Sequence, residues 1–186
     1  MQIDDRLLFL RYALPCSDEL VGKNVVAQER IDSLMKLVSE NKLPEEGAEN
    51  IFKVGIAMCT VIAMKEGKKT IDSDVIRQYF LMEHNRAVDE QFQLRKDFNH
   101  VECKTYAGKV VKVEANSALV RTPIGIKNCR TDFARNLKEG DNVAVHFGFA
   151  VEKISDSIAN RMNEIRNTDL AAKADGAKSA RTRVVN

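Results

Sequence analysis

Apolar positions along this 186-residue chain change their spacing once, and the change divides it in two. Through the first ninety-odd residues they recur at helical intervals. Ile31, Leu34, Met35 and Val38 fall on one stripe, while Glu29, Arg30, Asp32 and Lys36 fall elsewhere. Pro44, Glu45 and Glu46 predict a helix start, because proline fits a first turn and carboxylates suit its positive end. Gly67 predicts its stop. Within that helix residues 54–64 are uncharged and apolar on nearly every side, which predicts the central helix of a small bundle. Asp72 or Ser73 caps a third helix, expected to bury Val75, Ile76, Tyr79, Phe80, Ala87 and Phe92 and to reach about Lys96.

From Gly108 the period falls to two, the signature of half-buried strands. Residues 109–114, 117–121 and 126–130 predict three strands, with Ala115-Asn116 as a tight turn and Pro123 and Gly125 as breaks. Residues 131–136 predict a short helical turn. Residues 140–154, GDNVAVHFGFAVEKI, predict two more strands folded on each other, with His146 at the bend. Gly148 interrupts that run, which predicts a bulge or a close approach to the backbone. Ser155 or Asp156 caps a last helix over residues 158–168. Five short strands joined by tight turns predict a small barrel. The fold class expected is therefore α+β: an N-terminal helical bundle (residues 1–97), then a small five-stranded OB-like β-barrel with a C-terminal helix (residues 101–168), and a flexible basic tail (residues 171–186).

Charge gives no argument for nucleic acid. In residues 171–186 Lys173, Lys178, Arg181 and Arg183 stand against Asp175 alone, so the tail carries +3 and the rest of the chain −1 of the net charge of +2. The body is then close to neutral and offers no strongly basic surface for phosphates. The uncharged run at residues 54–64 is too short to span a membrane. Four cysteines (Cys16, Cys59, Cys103 and Cys129) without an export signal or a C-x-x-C pair predict reduced thiols in a cytoplasm. No phosphate loop, nucleophile–base signature or paired-histidine helix motif is present, so the protein reads as a non-enzyme. His84 has no partner in sequence.

The segment GKVVKV (residues 108–113), SALV (residues 117–120), KEGDNVAVHFGFAVEKI (residues 138–154) and the final helix together resemble the HypC/HupF family of nickel–iron hydrogenase maturation chaperones. The most specific part is VHFGFAVEKI, residues 145–154. The resemblance covers about residues 101–168 and implies a non-enzymatic chaperone. Its cysteine would hold an iron–cyanide–carbonyl fragment jointly with a partner of the HypD type, or contact the hydrogenase large subunit. Cys103, five residues ahead of Gly108, stands where the family has that cysteine, and His146 stands where it has its histidine. Gly108, Gly148 and Phe149 would support them. Between Cys103 and Gly108 the sequence reads KTYA, where the family has small and aliphatic residues and a proline. No tightly bound cofactor is implied, only transient iron. A thiolate is a suitable soft ligand for it and can exchange between partners.

The residues leave alternatives open beside this resemblance. Cys103, flanked by Glu102 and Lys104, is expected to be accessible, with Lys104 favouring its thiolate, or to be a leftover of divergence. His146 could equally be an outward strand histidine bonded to a carbonyl. His100, Glu102 and Cys103 could share one metal with Cys16 if the N-terminus folds over the junction. Cys59 and Cys129 read as core, and Glu152 with Lys153 as a cross-strand ion pair. The helical half could serve homo-oligomerisation. A single-stranded nucleic-acid binder is the alternative function, with Tyr106, Phe147 and Phe149 as its few stacking candidates.

Overall fold

Asp5 starts the first helix: its carboxylate accepts the Leu8 N–H at 3.0 Å, a side-chain cap for α1 (Arg6–Ala13). The structure, a computed structural model, describes residues 1–92 and 99–184, with side chains described for residues 1–90 and 99–173. Helix α1 buries Leu8, Phe9, Leu10, Tyr12 and Ala13 and runs into a 3₁₀ turn, Leu14–Cys16, which contains Pro15. Helix α2 (Asp18–Gly22) follows, then α3 (Gln28–Ser39), whose buried stripe is Ile31, Leu34 and Val38.

The helix expected from Pro44 starts later. Gly47, at φ +82°, and a 3₁₀ turn at Ala48–Ile51 come before α4 (Lys53–Lys65). Nor is α4 central. Val54, Val61 and Met64 are 55%, 45% and 67% exposed, and only Cys59, Ile62 and Ala63 are buried. The centre belongs to α1, where Phe9 is fully buried and meets the Phe52 and Phe80 rings edge-on at 6.5 and 6.0 Å. A helix of uniformly apolar sequence carries no directional signal, so its composition could not say which neighbour would cover it.

Asp72 caps α5 (Ser73–Arg77), its carboxylate accepting the Val75 N–H at 2.9 Å. The chain then passes through a π-helical turn, Gln78–Glu83, into α6 (His84–Phe92). The wider turn shifts the face presented afterwards, so Val88 is buried where the 3.6 period pointed to Ala87. The expected burial of Phe92 and helix end near Lys96 lie outside the described side chains and residues. Helix α7 (His100–Cys103) is capped by Asn99.

Five strands follow: β1 (Thr105–Val113), β2 (Ser117–Thr122), β3 (Gly125–Arg130), β4 (Asn142–His146) and β5 (Phe149–Lys153). Residues 131–136, expected to be helical, contain only bends. The strand order is β1-β2-β3-β5-β4, and β4 returns to pair with β1. The five strands close into a barrel, but its pairing is mixed. Four of the contacts are antiparallel ladders, but β3 meets β5 in parallel through the single pair Arg130–Phe149. The result is a closed, rolled sheet of mixed pairing whose β3–β5 seam lacks a ladder. Alternation of side chains predicts strands and faces but says nothing about how many pairs join each edge. Helix α8 (Asp156–Val184) begins with Ser155 accepting the Ile158 N–H at 3.2 Å and continues well past the expected end at residue 168.

One apolar cluster runs through both halves of the chain. It joins Phe9, Tyr12, Ile71 and Phe80 to Ala107, Ala144, Phe149, Val151 and Met162. A second cluster, with Val110, Val120, Cys129 and Val143, fills the interior of the sheet. Tyr12 Oη donates to Glu152 at 2.6 Å, and the Arg77 guanidinium holds the same carboxylate at 3.0 Å. Glu152 is therefore committed to the helical region, and Lys153 pairs with Asp141 at 2.7 Å, not with Glu152. Among the described residues no helix is long and apolar enough to cross a membrane.

Candidate functional site

The site is assembled where β4 turns into β5. His146 pairs with Phe149, and the two residues between them, Phe147 and Gly148, have φ of +48° and +76°. Two left-handed residues make the primed turn that matches strand twist. Glycine adopts it freely, whereas phenylalanine does so at a cost of about 1–2 kcal/mol. A Cβ at Gly148 would meet nothing within 4 Å, so this glycine serves the turn and not a close approach. Gly108 is the opposite case, since a Cβ there would lie 2.4 Å from Val120 Cγ1.

Thr105, the first residue of β1, pairs with His146 and so brings the end of α7 alongside it. Asn85 fixes this junction from α6. Its amide oxygen accepts the Thr105 N–H and its amide nitrogen donates to the Thr105 carbonyl, both at 2.8 Å. Cys103 ends α7 two residues before, buried at 5% exposure with Val88 beside it. The third contributor is remote in sequence: the 3₁₀ turn after α1 delivers Cys16 to the same point.

Cys16 Sγ lies 4.0 Å from Cys103 Sγ and 3.0 Å from His146 Nε2. One donor atom from each of the three lies within 4.8 Å of the others, an arrangement that can hold a metal ion. His146 is fully buried, and its Nδ1 is 2.8 Å from the Tyr12 carbonyl. A carbonyl can only accept, so Nδ1 carries a proton, and whenever the ring is neutral its lone pair is on Nε2, toward the cysteines. Histidine ligands are commonly held in this way. The Cys16 thiol beside it draws the Cys103 thiol well below its ordinary range despite burial, with His146 and His84 acting in the same direction. Cys16 moves the other way, raised first by sharing its proton with Cys103 and then by burial. The pair thus favours one thiolate, on Cys103, and one thiol.

The structure brings Cys16, Cys103 and His146 together and leaves His100 out of that group. Cys103 is not accessible as expected, and Lys104 turns to Asp89 at 2.6 Å. His146 does bond a carbonyl, but inside the protein and not on an outward strand face. Phe149 stacks on Phe133 at 5.4 Å, and half-buried Phe147 packs against the small cluster of Val88 and Cys103. Cys59 and Cys129 are fully buried, and burial raises their thiols to about 12 and about 11.

His84 is the residue that sequence reasoning missed. Its ring is buried at 6% exposure, 5.1 Å from the His146 ring. Its lone signal in the sequence was a histidine four residues after Phe80 on an apolar helix face. That pattern identifies burial but not a neighbour in a distant strand.

A cysteine at the head of a glycine-bearing strand, a histidine at the β4–β5 turn and a helix packed behind them form one continuous stretch of chain. Residues 103–165 match the HupF/HypC family. This HupF/HypC segment opens on Cys103 and closes within α8, so it contains Cys103, Gly108, His146, Gly148 and Phe149. Cys16 and His84 lie outside it, in the helical region that the family does not cover. No curated relative matches the chain. A groove of about 490 Å³ lined by Leu14, Pro15, Ser17, Phe147 and Phe149 opens beside the cluster. A larger cavity of about 750 Å³, near Ser39 and Arg135, is lined by neither cysteine nor histidine.

Proposed function

We propose that the protein is a non-enzymatic metallocentre-assembly chaperone of the HypC type. Cys103 binds an iron fragment or the hydrogenase large subunit, or the protein is a diverged relative that retains the segment as a docking module. The observation that carries this reading is the convergence of Cys103 and His146 of the HupF/HypC segment with Cys16, with all three donors inside 4.8 Å. A low-lying thiol beside a histidine whose Nε2 faces the cysteines can hold a soft metal centre and hand it on by ligand exchange. Partners of the HypD type and a cytoplasmic setting belong to the same proposal, as does homo-oligomerisation through the helical half.

The nucleic-acid reading draws no support from the aromatic residues it needs. Tyr106 and Phe149 are 6% and 8% exposed, which leaves half-buried Phe147 alone among the three candidates.

The test is anaerobic capture of a HypD-type maturation protein or a hydrogenase large subunit by the purified chain under reducing conditions. Cys103→Ala should lose the partner and any co-purifying iron while its thermal unfolding curve stays within a few degrees of wild type. Undiminished capture by Cys103→Ala would remove the cysteine mechanism.

A further inference from the structure

We propose that His84 is the fourth donor of a closed site, Cys16–Cys103–His146–His84, that takes a resident thiophilic divalent cation of the zinc class. The inference rests on the metal-holding part of the function proposed above and adds the coordination number and the kind of ion.

The spacings fit such an ion. Two sulfurs at about 2.3 Å from a tetrahedral centre are about 3.8 Å apart, and Cys16 and Cys103 stand at 4.0 Å. Two imidazoles bound through nitrogens at about 2.0–2.1 Å place their ring centres about 5.2 Å apart, and the rings of His84 and His146 stand at 5.1 Å. The 3.0 Å contact from Cys16 to His146 Nε2 would open to about 3.6 Å as an ion took the place of the shared proton.

His84 carries the second observation. Its Nδ1 is buried with no hydrogen-bond partner, and buried polar atoms in native proteins are seldom left so. Its ring is tilted at 75° to His146, and its nitrogens lie outside the group of donors within 4.8 Å of one another, so an ion would draw this side chain in to complete the set. It follows directly on the π-helical turn Gln78–Glu83, a distortion frequent at functional sites that redirects the following helix face. Asn85, the next residue, ties that face to β1 through both hydrogen bonds to Thr105.

Charge agrees with the class of ion. Two thiolates, two neutral imidazoles and one dication sum to zero, which suits a site whose members are buried or half-buried. Four protein donors leave no open position, as in structural zinc sites. An ion held there competes for Cys103 with any iron fragment, so the helical half would regulate the cysteine that the HupF/HypC segment supplies.

Reduced, metal-free full-length protein titrated with Co²⁺ should bind one equivalent and develop the intense visible bands of a tetrahedral thiolate-bound ion, displaced by Zn²⁺. His84→Ala and His84→Gln should weaken binding at least tenfold and alter the visible band envelope, and Cys103→Ser should cut the thiolate charge-transfer band to about half, since Cys16 remains. X-ray absorption on the zinc-loaded wild-type chain requires no variant to fold, and two sulfur and two imidazole scatterers are expected. One imidazole only, or His84 variants with unchanged affinity and spectrum, would overturn the fourth ligand while leaving the function proposed above intact. Absence of stoichiometric Co²⁺ and Zn²⁺ binding by wild type would overturn the closed site altogether. Capture of the maturation partner, measured separately, decides the chaperone reading.

Discussion

The backbone carbonyl of Tyr12 accepts a hydrogen bond from Nδ1 of His146 at 2.8 Å, linking the first helix to the last residue of β4. Replacing His146 with Leu keeps the site filled but leaves that buried carbonyl without a donor. The expected cost is about 1–3 kcal/mol. His146→Gln, which can still donate, should lose less. Urea unfolding of the two variants against wild type measures the difference, and equal losses would deny the bond a role beyond filling space.

Phe147 packs against Val88 and Cys103 from a left-handed turn position. Phe147→Gly should relax that residue and at the same time uncover Cys103. Iodoacetamide labelling of Cys103 in metal-free protein should therefore quicken severalfold, with little change in labelling of fully buried Cys59 and Cys129. An unchanged rate would place the barrier elsewhere.

Gly108→Ala puts a methyl group 2.4 Å from Val120 Cγ1 and 3.3 Å from the Arg121 carbonyl oxygen. Overpacking of this kind costs about 1–3 kcal/mol. Val120→Ala should recover part of that loss in the double variant, giving a coupling energy distinct from zero in a double-mutant cycle. Strict additivity would indicate that the clash is not with Val120.

Asp89 gives the acid limb of stability a local source. Partial burial opposes its ionised form, but Lys104 at 2.6 Å and Lys173 at 2.5 Å outweigh it and hold the carboxyl below its ordinary 3.8. The folded state therefore binds fewer protons than the unfolded chain as pH falls through about 4. The stabilisation is complete above that point and is lost on acidification through the lowered folded value. Asp89→Asn should reduce stability at pH 7 and flatten the curve below pH 4. Denaturant midpoints between pH 2.5 and 7 test this, and parallel curves would contradict it.

Much of this architecture was legible in the residues themselves. The stripe Ile31, Leu34 and Val38, the Asp72 and Ser155 caps, and the five strands all follow from periodicity and end chemistry. Cys103 and His146 were found through a resemblance carried by the motif around His146. What the residues did not disclose depended on the third dimension. Residues 54–64 are apolar all round, and only packing shows that α1 takes the centre. The π turn before His84 leaves no hydrophobic signature that differs from an α-helix. His84 reaches the site across a long sequence separation set by tertiary packing, which local patterns do not encode, whereas Cys16 was named on the condition, met here, that the N-terminus folds over the junction.

The apolar cluster that unites Phe9, Tyr12 and Phe80 with Ala144, Phe149 and Val151 bears on portability. The HupF/HypC segment of this chain cannot be lifted out and grafted elsewhere as a free-standing module. Cut away from the helices, it would present Phe149, Val151, Ile154 and Met162 to water as a sticky face, and Glu152 would lose Tyr12 and Arg77 together. In this molecule the helical half is the wall against which that segment folds.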